Sequence, residues 1–175
     1  VQAPFRMAVQ RVVRPDMTFR GFAGQISSGV IRRGDEVLAQ PSGRRSRVQR
    51  IVTYTGDLDV AHAPMSVTLT LDDEIDISRG DMISAGPDPA SSRSIEATMV
   101  WFNAQPLDPA RHYLIKHTSQ IVPARVEAVD YRINVNTLHA ESVHTLSMNE
   151  IGVVRVATAR NVFFDPYREN RGTGA

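Results

Sequence analysis

The residues best placed to do chemistry are the acids of Asp72-Asp73-Glu74-Ile75-Asp76, four carboxylates within five positions. Calcium and magnesium take oxygen ligands, so such a string invites a metal-site reading. It lacks the glycine and the downstream glutamate of an EF-hand loop and follows an apolar segment directly, which favours a solvated acidic loop. The histidines add nothing to it: His112 and His117 are five apart, as are His139 and His144. Five residues put two side chains on opposite faces of a strand and about 140° apart on a helix, so neither pair chelates locally. Arg44, Arg45, Arg47 and Arg50 form a basic run that could meet RNA or single-stranded DNA, but the stacking aromatics of such surfaces are missing, the nearest being Tyr54. A solvated hairpin fits the run better, and Arg45 and Arg47, on one strand face, could also meet a protein. There is no Gly-x-Ser-x-Gly elbow, no Ser-x-x-Lys pair and no glycine-rich phosphate loop of either common kind. Without cysteine the chain has no disulfide, thiolate zinc site or cysteine nucleophile. By its own residues it reads as non-catalytic.

The elements that must hold these groups are strands. Short β-branched alternating segments are separated by Gly, Pro and Asp, and no long run shows the apolar recurrence of an amphipathic helix. Strands are expected over Phe5–Val13, Gly21–Ile31 with a break at Ser27-Ser28-Gly29, Glu36–Gln40, Arg47–Tyr54, Ser66–Leu71 and Met82–Ala85. In the first of these, Phe5, Met7 and Val9 alternate with Arg6 and Gln10, which predicts one buried and one wet face. Turns so regular predict a closed barrel. Gly86 to Ser92 is rich in Pro, Ser and small residues and cannot continue a ladder, so the boundary is placed there: a first barrel over 1–86, a linker over 87–93 and a second barrel over 94–175. In the second half, strands are expected over Ile95–Phe102, His112–Thr118, Gln120–Val135 and Ile151–Ala159. Asn136–Leu146 is a short helix or an irregular crossing, capped at Asn136 or Thr137. Phe163 to Tyr167 reads as a strand end followed by a polar run to Ala175, as in a piece of a longer protein whose second barrel lacks its last strand.

Hydrophobic residues at 42% suffice for a core, and charged residues at 22% are too few for a disordered polyelectrolyte. The net charge of +1 gives no whole-molecule field toward nucleic acid or anionic membrane. No apolar stretch approaches the roughly 20 residues that span a bilayer, and Val1 to Gln10 has no signal-peptide layout, so a cytoplasmic location without membrane association is expected.

Written out in strand order, the first half resembles the barrel that follows the GTP-binding domain in translation-factor-type GTPases. The residues that carry this are Phe19-Arg20-Gly21-Phe22-Ala23-Gly24-Gln25-Ile26, Ser28-Gly29, Ile31, Gly34-Asp35, Val37, Pro41-Ser42-Gly43, Val48 and Ile51. Gly29 and Gly34 fit turns at which a positive φ is cheap only for glycine. Arg14-Pro15-Asp16 with Phe19-Arg20-Gly21, and the string Asp73-Glu74-Ile75-Asp76-Ile77-Ser78-Arg79-Gly80-Asp81, are similar to the GTPase subunit of bacterial ATP sulfurylase. Trp101, Gln105-Pro106-Leu107, Tyr113, Ile115-Lys116-His117, Arg125-Val126, Tyr131, Asn134, Asn149, Ile151-Gly152, Asp165, Tyr167 and Asn170 extend the resemblance through the second half. One departure is Ala61-His62-Ala63-Pro64, where the family usually has Ala-x-x-Gly, so a turn fixed in φ replaces a flexible one.

The resemblance implies an all-β fold of two consecutive barrels, as in domains two and three of elongation factor Tu-like GTPases. It also implies a role in sulfate activation, with GTP hydrolysis coupled to a separate catalytic subunit that makes adenosine 5'-phosphosulfate and pyrophosphate. GTP and magnesium are expected in an N-terminal domain outside this chain, and no cofactor, metal or catalytic residue is assigned within it. The partners implied are that GTP-binding domain, the catalytic subunit and, in some members, a fused adenylylsulfate kinase domain. Arg14, Phe19, Arg20, Arg79 and Asp81 lie in the segments most distinctive of the family and are the candidates for a partner interface. For Arg79-Gly80-Asp81 a barrel-closing turn held by an internal Arg–Asp pair is the equal alternative. The alternative for the whole chain, motivated by the Arg44–Arg50 run, is a pair of RNA-contacting barrels of a translation GTPase.

Overall fold

The computed structural model describes residues 3–174, which form fifteen β-strands and no α-helix. They divide into two compact units. The first comprises the chain through Ala90 together with His117–Gln120 and Phe163–Gly174, and the second comprises Ser91–Lys116 and Ile121–Val162.

In the first unit the strands are β1 (Phe5–Ala8), β2 (Arg11–Val13), β3 (Gly21–Ser28), β4 (Val30–Arg32), β5 (Glu36–Gln40) and β6 (Arg44–Thr53). They continue with β7 (Gly56–Leu58), β8 (Val60–His62), β9 (Ser66–Leu71) and β10 (Met82–Ala85). Pairing runs β1–β10–β5–β6–β9–β3 and returns from β3 to β1, which closes a six-stranded barrel as the turn spacing predicts. Closure leaves no open edge in that ring. Its interior holds Phe5, Met7, Phe22, Ile26, Val48, Ile51, Leu69 and Ile83, contributed by the inward positions of alternating strands. Gly29 and Gly34 adopt φ of +75° and +86° at the two ends of β4, as their turn positions require. The Gln40-Pro41 and Ala63-Pro64 peptide bonds are cis.

Three features depart from simple alternation. The segment expected as one strand over Phe5–Val13 divides at Val9 and Gln10, whose amides bond to the carbonyls of Asp81 and Ala23. In β6, register against β9 shifts between Val48 and Arg50, so that Gln49 is an extra residue and Ile51 rather than Arg50 faces the core. Arg6, expected on a wet face, is only 1% exposed. The segment 163–174 covers that face and supplies Asp165, whose carboxylate accepts from Arg6 Nε at 3.1 and 3.2 Å and from Nη2 at 3.0 Å. Asp165 also accepts from Thr173 Oγ1 at 2.6 Å and Asn170 Nδ2 at 3.3 Å, and Asn170 Nδ2 donates to Ser28 Oγ at 3.0 Å. Burial pushes the Asp165 carboxyl up, and these bonds outweigh it and hold it below the usual carboxylate range. The run that composition marks as a polar tail is thus tied to the barrel through residues that the sequence shows as Asp165, Asn170 and Thr173.

The second unit is built on β11 (Ala90–Val100), β12 (Tyr113–His117), β13 (Gln120–Ile133), β14 (Ala140–Glu141) and β15 (Ile151–Phe164), paired in the order β11–β15–β13–β12 with β14 on β13. The inward positions of β13 and β15 bury Val122, Val126, Val129, Val154 and Val156, with a register shift between Val126 and Ala128 carrying the inward face of β13 from Val126 to Val129. Trp101 and Tyr113 meet edge to face at 5.9 Å, Trp101 Nε1 donates to the Gln105 carbonyl at 2.7 Å, and Tyr113 donates to the Asp108 carbonyl at 2.9 Å. Arg132 bridges Glu141 and Glu150. The stretch Asn136–Leu146 is an irregular crossing rather than a helix. Its cap is Asn134, two residues before the expected position: Asn134 Oδ1 accepts from the amides of Asn136 at 3.0 Å and Thr137 at 3.2 Å.

Candidate functional site

A corner of the first barrel gathers Phe19 and Arg20 with the acidic string. After β2 the chain turns at Pro15 to Thr18, where Asp16 Oδ1 accepts from the Thr18 amide at 2.7 Å, the Thr18 hydroxyl at 2.6 Å and the Phe19 amide at 3.1 Å. These bonds, the Thr18 hydroxyl's foremost, hold the Asp16 carboxyl below its ordinary range. The turn delivers Phe19 over Gly21, where an added Cβ would lie 2.4 Å from Thr68 Cγ2 and 2.7 Å from Phe19 Cε1. Only glycine lets the ring lie this close to the strand.

Arg20 follows, its guanidinium 5.5 Å from the centroid of the buried Phe22 ring. Its Nη2 reaches Asp76 at 3.5 Å, and its Nε is enclosed without a hydrogen-bond partner. Across the cleft Asp73 is anchored by Ser46, whose hydroxyl donates to Oδ2 at 2.7 Å and accepts from the Asp73 amide at 3.1 Å. The extra residue in β6 turns both Gln49 and Arg50 outward onto the same cleft. Arg50 is committed to Asp57 through two bonds of 2.6 and 3.0 Å, and it lies 6.0 Å from the Phe19 ring. The Asp57 bond raises the Arg50 guanidinium's affinity for its proton and lowers that of the Asp57 carboxyl. Gln49 Oε1 accepts from Thr70 at 3.1 Å. The cleft encloses about 220 Å³ and is bounded by Phe19, Arg20, Gln49, Arg50, Asp72 and Glu74 among others. What it offers chemically is recognition through one guanidinium, an aromatic wall and an acidic rim.

The other sequence-predicted interface residues lie elsewhere. Arg14 is exposed just after β2. Arg79 is exposed in the turn Ser78–Asp81, in which Asp81 Oδ2 accepts the Ser78 amide at 2.8 Å. That turn is stitched to the chain between β1 and β2: the Gly80 amide donates to the Val9 carbonyl at 2.9 Å and the Val9 amide to the Asp81 carbonyl at 2.8 Å. Along the basic run, Arg45 pairs with Glu36 at 3.1 Å and Arg47 donates to the Gly34 carbonyl at 3.3 Å. Among the described residues no three His, Asp or Glu side chains come together as a metal site, and no helix is long and apolar enough to cross a membrane. Sequence reasoning missed Gln49, Thr70 and Asp57. The signal for the first was Val48-Gln49-Arg50-Ile51, where polar residues occupy two successive positions in an alternating strand.

Comparison with known proteins places this architecture. A family model described as GTP-eEF1A C-terminal domain-like matches residues 94–175. Two crystal structures of Sup35, one with GMPPNP and one with GDP, superpose with TM-scores of 0.86 and 0.87 at 14% and 13% identity. They cover 99% and 98% of this chain and 43% of theirs. The fold is therefore that of the β units of translation-factor-type GTPases. A bifunctional enzyme CysN/CysC of Rhodopirellula baltica is 51% identical over 172 residues, 98% of this chain and 27% of that protein. Sulfate adenylyltransferase subunit 1 of Bacteroides fragilis is 48% identical over 173 residues, 98% of this chain and 36% of its own length. A bifunctional enzyme NodQ of Rhizobium sp. is 46% identical over 176 residues, 100% of this chain and 27% of its own. At these identities the chain belongs to the family of sulfate adenylyltransferase subunit 1, of whose members it spans about a quarter to a third in these cases.

Proposed function

We propose that this chain is the β-barrel portion of the GTPase subunit of a sulfate adenylyltransferase. In this reading it carries no active site of its own and couples GTP hydrolysis to adenosine 5'-phosphosulfate synthesis by docking a GTP-binding domain and the catalytic subunit. The carrying observation is the identity of 46–51% across essentially the whole chain to proteins named as this subunit or as bifunctional enzymes related to it. The bifunctional names CysN/CysC and NodQ fit the reading that a kinase domain is fused in some members. GTP and magnesium would be held in the part of those relatives that lies outside the matched region, and the work would be done in the cytoplasm. The chemistry of the Phe19–Arg20 cleft supports docking, since a partly exposed guanidinium held only by a 3.5 Å contact to Asp76, beside a ring and an acidic rim, suits a protein partner. The test is size-exclusion co-elution of the full-length subunit containing this chain with the catalytic subunit from the same source at moderate salt. A stable complex is expected, and separate elution would overturn the reading.

A further inference from the structure

Arg20 carries donors that the protein does not meet. Its Nε is enclosed without a partner, and its Nη2 has only Asp76 at 3.5 Å, longer than a charge-assisted bond. The charge of Arg50, which lines the same cleft, is offset by Asp57 through Nε and Nη2. What remains around Arg20 is negative: Asp72, Asp73, Glu74 and Asp76. Asp73 is committed to Ser46, whereas the Asp72 and Glu74 carboxylates are exposed and have no side-chain partner among the described residues. A phosphate laid on Arg20 would sit among these carboxylates and be repelled. A main-chain carbonyl satisfies Arg20 without that penalty, and a cationic side chain on the same segment is drawn to Asp72 and Glu74. The volume of about 220 Å³ is below the roughly 300–1,000 Å³ of pockets that engulf small ligands, and it suits one or two residues of a protein segment.

We infer that this cleft seats a lysine- or arginine-bearing loop of the partner subunit. One main-chain carbonyl of the loop accepts from the partly exposed Nη groups of Arg20, its cationic side chain lies between Asp72 and Glu74, and Phe19 forms the apolar wall. This rests on the docking function proposed above. The loop's carbonyl gives the Nη end of Arg20 a stronger acceptor than the 3.5 Å contact to Asp76, and the acidic rim selects cationic loops over acidic ones.

The experiment measures affinity of the full-length subunit for its catalytic partner by titration calorimetry at low and moderate salt. The proteins are the wild type, Asp72→Lys/Glu74→Lys, Asp72→Asn/Glu74→Gln and Arg20→Gln. The charge-reversed pair is expected to weaken binding at least tenfold. The neutral pair is expected to weaken it severalfold and to flatten the salt dependence, and Arg20→Gln severalfold at either salt. Asp72 and Glu74 are exposed, so melting temperatures of the rim variants should match wild type. Wild-type binding with the charge-reversed pair within twofold of it overturns this inference and leaves the docking function standing. No wild-type binding overturns both.

Discussion

Arg6 and Asp165 set the strongest residue-level expectation. Both are nearly enclosed, so removing one partner leaves an uncompensated charge. Asp165→Ala should cost about 3–5 kcal/mol, read from urea unfolding, whereas replacing both with apolar residues of similar volume should cost far less. The Asp165 carboxyl has a lower pKa folded than unfolded, so its contribution is present above the ordinary carboxylate range and is lost as pH falls through the lowered value. Asp165→Asn should therefore flatten the acid limb of the stability profile below about pH 4. At the cleft, Gly21→Ala must displace Phe19 and Thr68, and it should cost about 1–3 kcal/mol in thermal or urea unfolding. The roles of Arg6 and Gly21 were not legible in the sequence: an arginine alternating with Phe5 and Met7 looks solvent-facing until a partner 159 positions away is in place.

At the scale of elements, two irregular segments do most to shape the surface. The extra residue in β6 turns Gln49 and Arg50 outward together, so deleting Gln49 should restore regular alternation with Arg50 still outward and Ile51 still inward, losing the Gln49–Thr70 bond but keeping the barrel, visible as a largely retained melting temperature. In the second unit, Asn134→Ala removes the acceptor for two amides of the 134–141 crossing and should cost about 1 kcal/mol in unfolding. The segment 163–174 is held to the first unit at a second point, where a ring nitrogen of His117 lies 3.2 Å from the Thr173 carbonyl. Burial lowers the His117 pKa, and that bond only partly opposes it. A histidine depressed in the folded state binds its proton better when unfolded, so stability should fall as pH drops below about 6.5 and level off below the depressed value. Hydrogen exchange of residues 165–173 between pH 7.5 and 5.5 should show it, and His117→Gln should remove the slope.

For the whole molecule, the expected outcome is association with a protein. Arg45 and Arg50 are neutralised by Glu36 and Asp57, so the basic run offers few free charges to phosphates. In a gel shift the full-length subunit should bind tRNA weakly and without a steep salt slope; strong binding with such a slope would instead favour the RNA-contacting reading.

Strand order, turn positions and the barrel class of the first half were determined by local patterning, because alternation and glycine punctuation act within a few residues. The family strings were legible too, but not what each residue does. Tyr113 and Asn134 turn out to hold loops in place, and Asp165 and Asn170 to neutralise and satisfy buried groups. Only the tertiary structure decided that Phe19 and Arg20 share a cleft with Asp72 to Glu74 while Arg14 and Arg79 stand apart. A closed ring brings β3, β6 and β9 side by side across more than 40 positions of chain, and no short-range pattern encodes such a meeting.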